Sequence, residues 1–559
     1  VPYRFRSYDE IVRNPKDSIY FDDDLHKHIF ALLPAYGQDA RLVMDKHEQP
    51  LLVTFTEKVL ITLLTKLSNF IPEAGVWMNT LRPEWNDANN ALVGYGASMV
   101  TLCYMRRFVG FLKQLYAGVD ASYALSKEVV VFLRDVLSAF ANHDALCEGK
   151  RLCFNDETRR AFINTVGRAG ETYRNAVYAG HSGEKVELSS DLLLQFLGEV
   201  ETYIDESIAV NHREDGLFHA YNLISFGTQT KTVGITHLYE MLEGQVAVLS
   251  AGVLTSNEAA DLLDAMRQSA LYREDQRSYM LYPNRRRPSF LEKNNLPQEA
   301  LSLPIVQRLL ADHATDLLVQ DCEGGVHFNA GFNNADFLNR AINASAETVS
   351  AEERGQLLNI YEQMFNHHAF TGRSGSFYKY EGLGCIYWHM VSKLLVAIGE
   401  NIQSALDQHA DAATVARLKA HYAAVQEGIG AHKSPAEYGS FPFDAYSHTP
   451  SMAGVQQPGM TGQVKEDIIS RFFLLGLHVV DGEIHIQTGM LRPEEFLNGE
   501  LRFTYCQTPF IYRLGETESI EVEMQDSLHI ESLCLPRTLS RHIFSRDRQI
   551  KQVIVTVKL

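Results

Sequence analysis

The chain has 559 residues, enough for roughly three to four domains of ordinary size or for one large helical unit with a smaller companion. Its 69 acidic residues outnumber 51 Lys and Arg, and the net charge of −18 is the wrong sign for a protein that tracks a phosphate backbone. With 45% apolar and 21% charged residues the composition is that of a packed globular chain, which excludes disordered, collagen-like and disulfide-scaffold classes.

Residues 1–50 are polar and mixed and read as an N-terminal extension. From Leu51 onward apolar residues recur at the helical period, predicting helices near 51–69, 97–116, 124–141, 157–178, 190–206, 256–269, 299–319, 352–367, 385–407, 411–427 and 463–477. Start signals support several of them: Ser190-Asp191 precedes Leu192-Leu193-Leu194, and Ser256-Asn257 precedes Glu258. This many helices with few intervening strands predicts a mainly α protein, an (α/α)6 toroid of paired helices over 51–477. The region 207–350 is less regular: it contains helices but also Arg285-Arg286-Arg287 and the glycine-rich stretch 323–334, and long irregular loops of this kind are usually functional or disordered. From about 478 the period changes. Val479-Val480-Asp481-Gly482-Glu483-Ile484 reads as a hairpin turning at Asp-Gly, and alternating segments follow at 501–506, 509–513, 518–524 and 552–558. Residues 478–559 are therefore expected to form a small C-terminal β unit.

The seven cysteines (Cys103, Cys147, Cys153, Cys322, Cys385, Cys506, Cys534) include no C-x-x-C pair, so neither a zinc ribbon nor a redox dithiol is expected. Free thiols fit the cytoplasm. The longest apolar stretch, 51–64, is interrupted by Glu57 and Lys58, so no membrane span is expected. There is no phosphate-binding P-loop, no G-x-S-x-G and no H-E-x-x-H, and Gly94-Tyr95-Gly96 lacks the third glycine of a dinucleotide loop. The adjacent His367-His368 would diverge by about 100° on a helix. No metal and no organic cofactor is expected.

What remains is three loops, each feeding a helix. The first, Arg82-Pro83-Glu84-Trp85-Asn86-Asp87-Ala88-Asn89-Asn90, gathers acids, amides and an indole. Carboxylates and amides fork onto vicinal hydroxyls, and an indole covers the apolar face of a pyranose. Capping by Asp87 and Asn90, with Trp85 in the core, is the alternative reading. The helix that follows is apolar nearly all round yet carries Arg106 and Arg107, whose guanidinium groups need an anionic partner, either a protein carboxylate or a bound anion such as phosphate. The second loop, 372–389, holds Tyr380, Glu381, Trp388 and His389. The third, 446–462, ends in Thr461-Gly462, where a hydroxyl and backbone N–H groups at a helix start would hold an anion or merely cap the helix. Three such loops suit the open end of a toroid.

Trp85-Asn86-Asp87 resembles the Trp-Asn-Asp of the inverting disaccharide phosphorylases, among them cellobiose and chitobiose phosphorylase and the matching part of cyclic β-1,2-glucan synthase. The resemblance covers about 80–115 and 370–475. It implies an (α/α)6 barrel with a small C-terminal β unit, Asp87 as general acid and Trp85 lining the sugar site; the loop residues Glu84, Asn86, Asn90, Tyr380 and Trp388 are expected substrate contacts beside it. It implies inorganic phosphate as co-substrate, held by Arg107, His389, Thr461 and Gly462. The products would be an α-sugar 1-phosphate and a shortened oligosaccharide, made with inversion. A hydrolase on the same barrel would instead pair Asp87 with a second carboxylate, Glu381 first and Asp444 second; a carbohydrate-binding protein would need neither. The sequence departs from that family in having Glu84 where Asp usually precedes Trp-Asn-Asp, and in a longer stretch between Asp87 and His389, which against the family implies an insertion near 207–345. Only 86 residues precede Asp87, fewer than the family's N-terminal β-sandwich needs, so a shortened relative or the C-terminal part of a longer protein is expected. Oligosaccharide and phosphate are the expected partners, a homodimer is compatible, and nucleic acid and membrane are not expected.

Overall fold

The computed structural model describes every residue except 1, 46, 81–91, 147–152, 228–230, 285–287, 346, 366–383, 430–432, 435–447 and 450–463. Helix accounts for 51% and strand for 19%, so the mainly α class holds. The principal helices are α1 (Phe55–Leu67), α2 (Met99–Tyr116), α3 (Lys127–Leu146), α4 (Asp156–Tyr178), α5 (Ser190–Ala209), α6 (Leu242–Ser250), α7 (Ser256–Gln268), α8 (Ala351–Phe365), α9 (Trp388–Asp407), α10 (Ala412–Glu427), α11 (Val464–Leu475) and α12 (Arg537–Ser545). Most begin where a short polar side chain satisfies an orphan N–H: Thr54 caps α1, Ser98 α2, Asn155 α4, Ser189 α5 and Asp411 α10. The cap of α7 is Thr255, one residue before the expected pair, because its hydroxyl and the Glu258 carboxylate close a capping box.

Helices α3 and α4 pack together. Helix α2 packs on α5 and α6, α9 on α6, α10 and α11, and α7 on α10. They share one apolar core that runs from Leu60 to Met490. Gly399 lets α9 and α11 close up, since a Cβ there would lie 2.4 Å from the Phe473 ring. Helix α6 was not expected. It is buried on every side (all but its second and last residues) and so carries no 3.6-residue stripe to read. The expected helix at 299–319 is instead two short helices, Gln298–Leu301 and Pro304–Ala311, followed by a strand at Leu318–Gln320. Pro304 forces Leu303 out of the helical region, which ends the first helix and starts the second.

Strands appear among the helices as well. A five-stranded antiparallel sheet takes the order Phe70–Ile71, β1 (Gly75–Trp77), β2 (Gly96–Ser98), β3 (Tyr221–Phe226), β4 (Val233–His237). A two-residue pairing joins β5 (Ile386–Tyr387) to β6 (His448–Thr449). The N-terminal segment is structured too: a helix occupies Asp23–Tyr36, and Tyr8 and Ile11 are buried in a small core with Trp77, Ile163 and Ile224. The Tyr8 ring fits against α4 only because residue 167 is glycine; a Cβ there would meet it at 2.2 Å.

The span expected as an insertion, 207–345, divides in two. Residues 208–282 contribute side chains to the large core, whereas Leu296 through Tyr361 form a core of their own. The C-terminal unit has a third core. It contains a three-stranded sheet of β7 (Leu477–Val480), β8 (Glu483–Ile486) and β9 (Cys534–Leu535), a five-stranded mixed sheet, and α12. The β7–β8 hairpin turns at Asp481-Gly482 as expected, both residues having positive φ (50° and 78°) as a two-residue primed turn requires. Among the described residues no helix is long and apolar enough to cross a bilayer.

Candidate active site

The starts of three helices lie along one continuous run of hydrogen bonds, main-chain except where side chains bridge it. Met78 N–H donates to Gly96 O at 2.9 Å and Gly94 N–H to Met78 O at 2.7 Å, with the Trp77 indole on Gly94 O at 2.9 Å. This pins both ends of the segment 81–91 to the β1–β2 pair, directly before α2. Strand β2 then pairs with β3 so that Ser98 faces Tyr221. The Tyr221 hydroxyl donates to the Glu243 carboxylate at the start of α6, at 2.6 Å. Leu242 N–H bonds to Leu281 O, Leu281 N–H to Cys385 O, and Tyr387 pairs with His448 beside the start of α9. The entrances of α2, α6 and α9 and the strand 448–449 therefore share one rim.

Glu84, Trp85, Asn86, Asp87, Asn90, Tyr380, Glu381, Asp444, Thr461 and Gly462 all lie outside the described residues. The attachment points of their segments are described. The first enters through β1 and leaves into β2, the second leads into β5, and the third is flanked by β6 on one side and α11 on the other.

Three expected site residues can be placed. Trp388 is not on a sugar surface: it is fully buried in the large core, with the Lys433 ammonium 5.0 Å from its ring. A helix start next to a core this apolar takes the indole inward, and this corrects the expected substrate contact. His389 is half-buried at the rim, its Nδ1 3.0 Å from the Tyr387 hydroxyl. Arg107 forms a bidentate pair with Glu400, both contacts 2.7 Å, and its side chain is 50% exposed. Glu400 comes eleven residues after His389 on the same helix, about 16 Å further along the axis. The geometry therefore does not bring the Arg107 guanidinium beside His389. Arg106 turns the other way, onto α5, where Asp205 and Glu201 receive it at 2.7 and 3.3 Å. Both arginines thus have protein carboxylates.

The accessible stripe of α9 reads His389, Lys393, Val396, Glu400, with buried residues between them. Such i, i+4, i+7 spacing is one helix face. Across from it, α2 presents Tyr104 and Arg107, and α6, which packs on both helices, presents Glu243. Burial holds the Glu243 carboxyl above the usual carboxylate range, opposed by the Tyr221 hydrogen bond and the Lys393 charge. Burial raises the Tyr104 phenol, and the Glu243 charge adds to the effect. Glu243, Tyr221 and Lys393 are the polar residues of this face that the sequence reading missed. The available signal was Glu243 and Gln245 standing alone in the apolar run 241–251. Close by, His219 stacks on His237 at 4.2 Å and burial lowers it to about 4, so the pair is neutral near pH 7.

Retaining Glu243 costs stability. Its folded pKa is raised from 4.5, so folding loses nothing below that pH; as pH rises, the unfolded chain sheds the proton first and stability falls. Glu243→Gln, which keeps the shape and carries no charge, should melt higher than wild type at about pH 7, and the gap should close towards about pH 4. Melting curves across that range measure it; a gap independent of pH would contradict the assignment.

Residues 287–368 match the family described as GH149 phosphorylase insertion domain 2. The matched span coincides with the separate core at 296–361. The match supports a phosphorylase of the GH149 type. It does not extend to the cellobiose, chitobiose or cyclic-glucan-synthase assignment. No curated protein matches the chain.

Proposed function

We propose that this chain carries the catalytic barrel of a glycoside phosphorylase that cleaves a β-glucosidic bond of an oligosaccharide with inversion, releasing an α-sugar 1-phosphate. The observation that carries the proposal is the GH149 insertion-domain match on a unit with its own core, placed in the chain directly before the segment that leads into α9. The common rim adds support, because segments separated by hundreds of residues attach along it.

On this reading Asp87, protonated, donates to the glycosidic oxygen while phosphate attacks the anomeric carbon from the opposite face. The bond from that carbon to the leaving oxygen breaks as the bond to phosphate forms. The phosphate is held by His389 and by the Thr461-Gly462 backbone and hydroxyl, a helix-start anion site. Arg107, turned to Glu400, has no direct part. Trp85, Glu84, Asn86, Asn90, Tyr380 and Glu381 contribute sugar contacts, and Glu243 accepts from sugar hydroxyls while the buried Tyr221 hydroxyl behind it holds its carboxylate in place. Closure of the helices into a toroid and a cytoplasmic setting belong to the same proposal.

The test is turnover of β-linked gluco-oligosaccharides with and without inorganic phosphate. The expected result is sugar 1-phosphate formed only when phosphate is present, in the α configuration by NMR. Release of free reducing sugar at the same rate without phosphate would replace phosphorolysis by hydrolysis.

A further inference from the structure

Far from the rim, the small sheet of the C-terminal unit brings together a thiol, an imidazole and a carboxylate. Residues alternate across a strand, so Ile484, Ile486 and Leu535 turn into the core of that unit while Glu483, His485 and Cys534 share the opposite face. The register sets Cys534 directly beside His485. The Cys534 Sγ lies 3.7 Å from Glu483 Oε2 and 3.7 Å from His485 Nε2, and one donor atom from each residue lies within 4.8 Å of the others. This is the one such group among the described residues.

We infer that Glu483, His485 and Cys534 form a binding site for a single Zn²⁺ ion. A tetrahedral zinc with a Zn–S bond of about 2.3 Å and Zn–N and Zn–O bonds of about 2.0–2.1 Å holds its sulfur about 3.5 Å from the other donors. The two sulfur spacings need to close by only a few tenths of an ångström, and the imidazole and carboxylate, within 4.8 Å of each other, draw in to about 3.3 Å on the ion. The donor set of one soft thiolate, one imidazole and one carboxylate suits zinc rather than calcium or magnesium, which take oxygen cages. Binding replaces the Cys534 thiol proton, which leaves to solvent, so one thiolate and one carboxylate neutralise the ion.

Support around the donors is already in place. Glu483 follows the Asp481-Gly482 turn, and its second oxygen, Oε1, accepts the Arg537 N–H at 3.1 Å, which orients Oε2 toward the sulfur. The Arg537 guanidinium is in turn bonded to Asp481 O at 2.9 Å. A water would fill the fourth position. The ion would staple β8 to β9, whose ligands are 49 residues apart in sequence, well beyond the short spacings by which zinc sites are read from a chain.

The test titrates the full chain, stripped with a chelator, first with Co²⁺ and then with Zn²⁺. The thiolate-to-cobalt charge-transfer band is expected to saturate at one equivalent and to be displaced by zinc. Cys534→Ser, which keeps a hydroxyl to donate to Glu483, should lose the band, while Cys506→Ser should keep it. His485→Gln retains the thiol, so it reads the site even if the serine variant folds poorly; it should weaken Co²⁺ binding by more than the roughly 10–100-fold that losing a supporting group costs. Absence of the band in wild type, its persistence in Cys534→Ser, or unchanged affinity in His485→Gln would each overturn the site. None of these outcomes touches the phosphorolysis proposal.

Discussion

Asp87→Asn is expected to lower kcat by about 10²–10⁴-fold, the contribution of a positioned general acid, with sugar binding retained. Asn matches the shape of Asp but cannot give up a proton to the departing oxygen. The ends of its segment are held by backbone bonds at Met78, Gly94 and Gly96 and by the Trp77 indole, none of which the substitution touches. A substrate whose leaving group departs without protonation, such as a glucosyl fluoride, should therefore lose far less of its rate than an oligosaccharide. Steady-state kinetics on both substrates measure the difference. An equal loss on both would mean that Asp87 acts through structure, and an unchanged kcat would remove it from the mechanism.

Arg159→Met should lower stability by about 3 kcal/mol, near the low end for breaking a buried ion pair, because Glu73 keeps some access to water. The Arg159 side chain is 6% exposed and joins the start of its own helix α4 to the turn at Pro72-Glu73 and to β4. Its guanidinium donates to Pro72 O at 3.2 Å, to Val233 O on β4 at 2.9 Å, to Asp156 at 2.7 Å, and to the Glu73 carboxylate. The thioether restores the packing of the stem and nothing else, leaving two carbonyls and two carboxylates without their donor. The shift of the first unfolding transition in urea reads the loss. Adding Glu73→Gln should recover part of it, since the stranded charge is then gone; a double variant as unstable as the sum of the two singles would show that the pair is not coupled.

Much of the architecture was legible before any coordinates. Where apolar residues recur every 3.6 positions, as over 190–206 and 411–427, the helix is where the pattern puts it, because burial of one stripe is a local demand; the cap of α5 is Ser189, one residue before the expected Ser190-Asp191. The Asp481-Gly482 turn and the alternating strands after it were equally local. The loops that precede α2 and α9 were recognisable as unusual by their residue types alone. Helix α6 was not legible, since an element buried on all sides has no polar face to set its phase. Nor was the break at Pro304 given its weight against the surrounding apolar residues.

For the site, the sequence by itself singled out the Trp-Asn-Asp segment and the His389 helix start. It determined also that Arg106 and Arg107 needed anions. Only the tertiary structure decided which anions these were, sending one guanidinium to α5 and the other to Glu400, well down α9 from His389. It likewise buried Trp388, raised Glu243 into the polar face, and set Cys534 beside His485. The reason is common to all of these. A residue's type fixes what partner it requires, but the partner's identity depends on contacts between elements far apart in the chain, which leave no mark on local spacing.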